Sequence, residues 1–489
     1  MIKRFDELIN NVDYVEIIQQ QADIEIHQVS LDSRFVESNS LFVAIKGTHT
    51  DGHEYISKAI EKGAVVIICH KLPSEINKNV IYVRVEDPSY VLGIIASEFY
   101  GNPSHKMKVV GVTGTNGKTT TASLLYQLFT KLGHQCGLIS TIDIKIGKES
   151  MPSSHTTPDA VSIQNVMHQM VEKECAYCFM EVSSHAVDQN RIAGIAFDGA
   201  IFTNITHDHL DYHLTFSNYL KAKKQFFDHL PKDAIALTNM DDKNGLVMLQ
   251  NCQAMHRTYS LQAMSNYRCA IIDKFQEGMS LKLDGVEVYT KLSGTFNAYN
   301  LLSVYAMALE LGMQKEDVYL AISTLNPIHG RFDTSISEVK KIVGIVDYAH
   351  TPDALEKVLI EAQKLKKSSK IITIIGCGGN RDKEKRPLMA KIACQNSDKV
   401  ILTSDNPRFE SPIDILNDMK EGLEKDLKVK SLTIVDRLEA IRTACVLAES
   451  QDIVVLAGKG HESYQEIEGI KHPFDDKKIL LETWNEMNL

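Results

Sequence analysis

A glycine-rich turn between a strand and a helix constrains this chain more than any other feature in it. Residues 111–120 read GVTGTNGKTT. The apolar run VVGVTG reads as a strand. After the turn, TASLLYQLFTKLG carries Leu124, Leu125, Leu128, Phe129 and Leu132 at helical spacing, with Gly133 suited to the helix end. Such a turn lets backbone N–H groups approach phosphate oxygens closely, and the helix N-terminus adds positive potential. Gly114, Thr115, Asn116, Gly117, Lys118, Thr119 and Thr120 are therefore the candidate phosphate cradle. In that arrangement Lys118 reaches the β- and γ-phosphates and the Thr119 hydroxyl ligates Mg²⁺. The spacing departs from the common Walker pattern, because Val112 stands where its first glycine belongs. The competing reading is a structural turn followed by a chance Lys-Thr, which the strand before and the helix after argue against.

At 489 residues the chain exceeds one ordinary core, and its patterns fall into three α/β blocks. Strand and helix patterns alternate up to GNPSHKMK (101–108), whose Gly, Pro and charge read as a linker. The P-loop block runs from there to NPIHGRFD. The last block alternates most regularly: VGIVDYA, a helix with Leu355, Val358, Leu359 and Ala362 on one face, then KIITIIGC, RPLMAKIACQ, KVILTSD, IDILNDMKEGLEK, SLTIVD, a helix from Arg437, and DIVVLAGKG. That pattern predicts a doubly wound sheet, in which ligands bind beyond the carboxyl ends of the strands. Those ends carry Gly376–Gly379, Asp405-Asn406-Pro407-Arg408 and Gly458-Lys459-Gly460-His461-Glu462.

Bulk composition removes several classes. Lys+Arg 53 against Asp+Glu 63 gives a formal charge of -10, which argues against a broad nucleic-acid footprint. The first twenty residues lack an apolar core of the secretory kind, and no run approaches bilayer length, so a cytoplasmic protein without membrane insertion is expected. Nine cysteines without regular spacing suit reduced thiols; Cys175 and Cys178 have metal or redox spacing but lie in an apolar run that reads as a strand.

The stretch FTNITHDHLDYH (202–213) concentrates three His and two Asp, and nearly spells a zinc hydrolase motif. Tyr212, however, separates the last Asp from the last His, and a zinc hydrolase has no need of a phosphate loop. Glu181, ending a strand in MEVSSH, and His209 could instead join Thr119 in a Mg²⁺ shell, although Mg²⁺ prefers oxygen. His207, Asp208, Asp211 and His213 then read as hydrogen-bonding or structural groups.

The variant Thr-Gly-Thr-Asn-Gly-Lys-Thr resembles the loop of the Mur ligase superfamily, ATP-dependent amide-forming enzymes that include folylpolyglutamate synthetase. The resemblance covers essentially the whole chain. It implies a UDP-sugar-binding domain at 1–102, a central ATP-binding P-loop domain at 103–331 and a Rossmann-like amino-acid-binding domain at 332–489. By the same resemblance Glu181 and His209 bind Mg²⁺, and the lysine after Tyr-x-x-Ala in NYLKAKKQFF is carbamylated to hold a second ion. That points to Lys223, with Lys221 and Lys224 close by. Asn297 and Asn300 of GTFNAYN, Arg331 of HGRFD, and Asp347 and His350 of VDYAHTPDAL match nucleotide-contacting positions.

The first block, SLDSR…LFVAIKGTHTDGHEY, resembles that of members acting on UDP-N-acetylmuramoyl-L-Ala-D-Glu. Leu31, Ser33, Thr48, His49 and Thr50 match UDP contacts; Thr156, Thr157, Ser183, Gln189 and Arg191 match muramoyl-dipeptide contacts. Asp405-Asn406-Pro407-Arg408 marks members that add meso-diaminopimelate rather than lysine, and Arg381, Gly458 and Glu462 match further contacts to it. The physics agrees, because an arginine can fork onto the carboxylate by which diaminopimelate differs from lysine. The implied reaction joins diaminopimelate to the D-Glu γ-carboxylate through an acyl phosphate, in peptidoglycan precursor synthesis, with ATP, Mg²⁺ and a monomeric enzyme. A lysine-adding member, a polyglutamyl ligase and a P-loop switch are the alternatives.

Overall fold

The computed structural model describes residues 1–19, 23–47, 50–153, 155–366 and 368–489. The P-loop strand, Lys108–Thr113, lies mid-sheet between the parallel strands Tyr177–Glu181 and Gly199–Phe202. Val110 and Val112 pack with Leu124, Leu125, Leu128 and Phe129 on one face, while Val109 packs with Phe226 and Phe227 on the other. Burial on both faces explains why this strand is apolar throughout rather than alternating. The helix spans Lys118–Lys131, so Lys118, Thr119 and Thr120 are its first turn, earlier than the apolar spacing alone indicates. Gly114 (φ 150°) and Gly117 (φ 89°) make the turn possible, since a Cβ on Gly114 would lie 1.9 Å from Thr203 Oγ1. Gly133 (φ 91°) ends the helix, with the amides of Gly133 and His134 reaching back to the carbonyls of Thr130 and Phe129.

Around this strand the central sheet has eleven described strands, from Glu149–Pro152 at one edge to Val286–Thr290 at the other. Its middle is parallel and both edges are antiparallel. The N-terminal block forms a separate five-stranded sheet ordered Glu16–Ile18, Ile81–Arg84, Ala64–Cys69, Ser40–Val43, Gln28–Ser30. It docks through helix Pro88–Phe99, where Asn190 Nδ2 donates to Asp87 Oδ2 (2.9 Å) and Gly93 lets Ala193 pack closely. The segment expected as a linker at 101–108 is instead a short 3₁₀ turn, Pro103–His105, with Pro103, Ser104 and Met107 buried.

The third sheet is ordered Asp333–Ile336, Val343–Asp347, Ile453–Ala457, Ile371–Ile375, Lys399–Leu402, Ser431–Thr433. All but the first pair in parallel. That antiparallel edge strand, the hairpin Tyr464–Ile467/Ile470–Pro473 and the last helix, Asp476–Met487, were not indicated by the alternation. The last helix covers the sheet's second face with Leu480 and Trp484. The helix expected over IDILNDMKEGLEK stops at Glu421, where Gly422 packs against the Pro387 carbonyl, and a separate turn follows at Lys425–Lys428. No helix among the described residues is long and apolar enough to cross a membrane.

Helix Pro352–Leu365 joins the third domain to the central one at two points. Asp353 Oδ2 accepts from Asn116 Nδ2 (3.0 Å) and Thr206 Oγ1 (2.9 Å). Glu361 Oε2 accepts from Lys274 Nζ (3.0 Å) and the Thr295 amide (2.9 Å). A cavity of about 1460 Å³ lies between the P-loop and the carboxyl ends of the third sheet.

Candidate functional site

The P-loop side of the cavity is built on Glu181, which ends its strand fully buried. Its carboxylate accepts from Thr119 Oγ1 (3.0 Å) and the Thr141 amide (2.6 Å), while Arg331 Nη2 donates to the same Thr119 hydroxyl (3.1 Å). Lys118 bends back over the loop, donating to the carbonyls of Gly114 and Thr115 at 2.9 Å each. Burial lowers its pKa; Glu181 and Asp208 oppose the shift and Arg331 adds to it.

His209 occupies the left-handed region (φ 54°), with its ring edge-on to His185 at 4.9 Å. Burial holds its pKa down to about 4, against Asp208 and with help from Lys118, His185 and Lys223. Its imidazole is therefore neutral at pH 7, with a lone pair available to a metal. Thr119 Oγ1, Glu181 Oε2 and this ring form an oxygen-rich set on one cavity wall, and the two oxygens are close enough to touch one cation. That donor set fits Mg²⁺. The other histidines of the stretch turn elsewhere: His213 Nε2 is 2.9 Å from Ser184 Oγ, and His207 stacks on Phe216 at 5.5 Å. Among the described residues no three His, Cys, Asp or Glu side chains converge as a metal cluster. Cys175 and Cys178 are buried free thiols whose pKa values burial raises.

Of the three lysines in NYLKAKKQFF, Lys223 alone is fully buried, at 1 % exposure. Helix Phe216–Asp228, capped by Thr215, points it under the P-loop, where it donates to Gly114 O (2.7 Å) and lies 4.7 Å over the Tyr219 ring. Burial and then the Lys118 charge pull its pKa well below that of free lysine. Lys221 is exposed and Lys224 pairs with Asp228 (2.5 Å).

Further along the wall lie Asn300, Arg331, Asp347 and His350. Burial raises the Asp347 carboxyl to about 6, although Arg331 and the amides of Phe332 and Ala349 favour its charge. Burial lowers the pKa of His350, whose Nδ1 donates to Tyr348 O (2.9 Å). Asn297 departs from expectation: it is buried behind the wall, with its amide donating to Ser293 O (2.8 Å) and its oxygen accepting from Asn300 (3.0 Å). Its amide and its oxygen are thus both engaged by neighbouring protein groups.

The third-domain wall brings together Arg381, Asp405, Asn406, Arg408, Gly458 and Glu462. Arg408 (φ 53°) donates from Nε to Glu466 Oε2 (3.2 Å) and from Nη1 to Gly379 O (2.8 Å). Glu466 partly neutralises it. Asn406 Nδ2 donates to Glu462 Oε2 (2.7 Å), and burial together with Asp405 raises the Glu462 carboxyl. Gly458 (φ 110°) leaves room for Asp405, whose Oδ2 would be 2.7 Å from any Cβ there. Pro407 completes the loop without lining the cavity.

The expected muramoyl-dipeptide residues are only partly on the cavity. Thr156 lines it, its Oγ1 accepting from Thr141 Oγ1 at 3.0 Å. Thr157 is buried and donates to Glu181 O (2.9 Å), and Ser183 caps helix Ser184–Asp188. Gln189 Oε1 accepts twice from Arg191, which also donates to Thr157 O (2.8 Å). Thr157, Ser183, Gln189 and Arg191, with Leu31, Ser33 and Thr50 of the first domain, do not line the large cavity. Thr48 and His49 lie outside the described residues. Sequence reading missed three residues here: Asp353, Tyr348, which stacks 4.5 Å from the Arg331 guanidinium, and the buried Lys459. Only Lys459 had a signal, as the lysine between two glycines at a strand end.

Three family models match in chain order: Mur ligase family, catalytic domain over 25–100; Mur ligase middle domain over 112–308; and Mur ligase, glutamate ligase domain over 330–460. The chain is 54% identical over 478 residues to the UDP-N-acetylmuramoyl-L-alanyl-D-glutamate--2,6-diaminopimelate ligase of Phocaeicola vulgatus, covering 98% of each chain. It is 52% identical over 483 residues to the protein of the same name from Bacteroides fragilis, covering 99% of each. A solved structure bearing that name superposes with a TM-score of 0.72 at 31% identity, covering 100% of both chains.

Proposed function

The chain belongs to the Mur ligase family, and from that premise we infer that it joins 2,6-diaminopimelate to the D-Glu γ-carboxylate of UDP-N-acetylmuramoyl-L-Ala-D-Glu at the expense of ATP. One observation carries the reading: a phosphate loop and a pocket bearing both carboxylates and arginines face each other across a single cavity. An acyl donor activated at the first can meet an amine held at the second.

In the reaction we propose, the γ-carboxylate attacks the γ-phosphorus of ATP, and ADP leaves. Lys118 swings from the loop carbonyls to the phosphates, and the loop amides hold the developing charge. Arg331, already bonded to Thr119, adds a second cation beside the transferred group. The diaminopimelate amine then attacks the acyl phosphate carbonyl, giving a tetrahedral intermediate that expels phosphate. Asp405 and Glu462 bind the distal ammonium of diaminopimelate, while Arg381 and Arg408 bind its distal carboxylate.

Thr119, Glu181 and His209 would hold one Mg²⁺ and a carbamate on Lys223 would hold a second, and such ions would supply charge neutralisation for phosphoryl transfer. The buried Lys223 amine, its pKa drawn well below that of free lysine, suits carbamate formation: its neutral nitrogen adds to CO₂, a proton is lost, and a carbamate anion results. UDP is held by Leu31, Ser33, Thr48, His49 and Thr50, and the dipeptide by Thr156, Thr157, Ser183, Gln189 and Arg191. ATP contacts 114–120, Asn300, Arg331, Asp347 and His350; Asn297 acts through Asn300. The domain limits 1–102, 103–331 and 332–489 follow the three sheets.

Substrate labelled with ¹⁸O in the D-Glu γ-carboxylate tests the chemistry. One labelled oxygen in each inorganic phosphate supports the acyl phosphate; unlabelled inorganic phosphate rules it out.

A further inference from the structure

Lys459 is, among the described residues of the third domain, the lysine whose side chain is wholly shielded from solvent, at 0 % exposure. It follows strand Ile453–Ala457 between two glycines in the left-handed region, Gly458 (φ 110°) and Gly460 (φ 52°). That turn sends its side chain inward beneath the pocket. Its ammonium donates to Asn406 Oδ1 and to Glu462 Oε2, both at 3.2 Å, and lies 3.9 Å from Asp405 Oδ1. Asn406 donates in turn to the same Glu462 oxygen.

The surrounding charges leave this lysine a specific task. Arg437 is buried nearby but is engaged in a two-bond pair with Asp476, at 2.8 and 2.6 Å. Arg408 is held by Glu466, and burial keeps His461 uncharged, with a pKa of about 3. Tyr348 and Tyr464 present neutral rings to the group. Glu462 and the adjacent Asp405 therefore have Lys459 as their cation, and two buried carboxylates side by side need a positive charge to offset their repulsion.

We propose that Lys459 is a positioning residue of the amino-acid pocket. Its ammonium fixes Glu462 and Asn406 and leaves the Asp405–Glu462 pair with one net negative charge, matching the single distal ammonium of the incoming diamino acid. The proposal rests on the reading of this pocket as the diaminopimelate site. Lys459 touches no substrate; it acts through the two carboxylates.

Steady-state kinetics of K459M, E462Q and the double variant K459M/E462Q in the full chain test it. K459M raises KM for diaminopimelate about twentyfold or more, leaving KM for ATP within about twofold, as expected when a buried carboxylate loses its cation. The acid limb of kcat/KM for diaminopimelate moves up by about one pH unit, because Glu462, already raised by burial and by Asp405, loses the cation that opposes that rise. In the double variant Asp405 remains as the single carboxylate and the native net charge is restored, so its KM for diaminopimelate does not exceed that of E462Q. The double variant removes one charge of each sign, so its comparison with E462Q decides the matter even where K459M alone fails to fold. An unchanged KM in K459M, equal rises for all substrates, or a double variant far worse than E462Q overturns the proposal. If E462Q itself leaves KM for diaminopimelate unchanged, the pocket reading fails and the proposal falls with it. If E462Q raises that KM and K459M does not, only the role of the lysine fails.

Discussion

Two lysines, Lys118 and Lys223, donate to the same carbonyl, that of Gly114. Two ammonium ions would resist that arrangement, and burial, followed by the Lys118 charge, draws the pKa of Lys223 well below that of free lysine. Such an amine under the phosphate loop has little structural use but is well suited to carry a carbamate. K223A should lower turnover by about a thousandfold, with partial recovery when short carboxylic acids fill the space left by the side chain. Undiminished turnover in the variant would remove the carbamate from the account. The sequence marked this lysine only through resemblance, because three lysines in four residues look alike until burial separates them. Asn297 taught the reverse: its motif was legible, but the hydrogen bond that turns it away from the cavity was not.

Helix Pro352–Leu365 shows what periodicity can and cannot reveal. Leu355, Val358, Leu359 and Ala362 were readable as its buried face because the third sheet needs a cover at that spacing. Its other face holds Asp353 and Glu361, which reach the central domain through contacts that no local pattern encodes. Asp353 grips Asn116 inside the phosphate loop and is itself steadied by Lys357 (2.9 Å). D353A should therefore loosen the docking of the third domain on the loop. A loss of about 1.4 kcal/mol in the transition state lowers kcat about tenfold, while KM for ATP changes little. Stopped-flow nucleotide binding alongside turnover separates the two; a weakened ATP affinity with normal kcat would assign Asp353 to binding instead.

At the scale of the molecule, the order of three α/β units was legible from alternation and glycine-rich strand ends. The shared cavity was not, because it depends on how the units face one another. The junction between the second and third units carries a charged clasp: His329 lies 3.4 Å from Asp333 and 3.6 Å from Asp475, and Asp333 also pairs with Lys477 (2.7 Å). Those two carboxylates raise the His329 pKa from 6.5 to about 9. A histidine whose folded pKa is raised gives its full stabilisation below pH 6.5 and loses it as pH climbs through about 9. Partial exposure screens the pair, so about 1 kcal/mol is at stake. The fall in Tm between pH 6.5 and 9.5 should thus be shallower in H329Q than in the native chain, and identical slopes would exclude the clasp.

The central claim concerns which amine enters the third-domain pocket. Purified protein with ATP, Mg²⁺ and UDP-N-acetylmuramoyl-L-Ala-D-Glu should release phosphate when meso-diaminopimelate is added, giving a product heavier than the dipeptide substrate by one diaminopimelyl residue. L-lysine in its place should give little of either. Phosphate release and a lysyl product in preference to the diaminopimelyl one would contradict the account, whatever else about the ligase held.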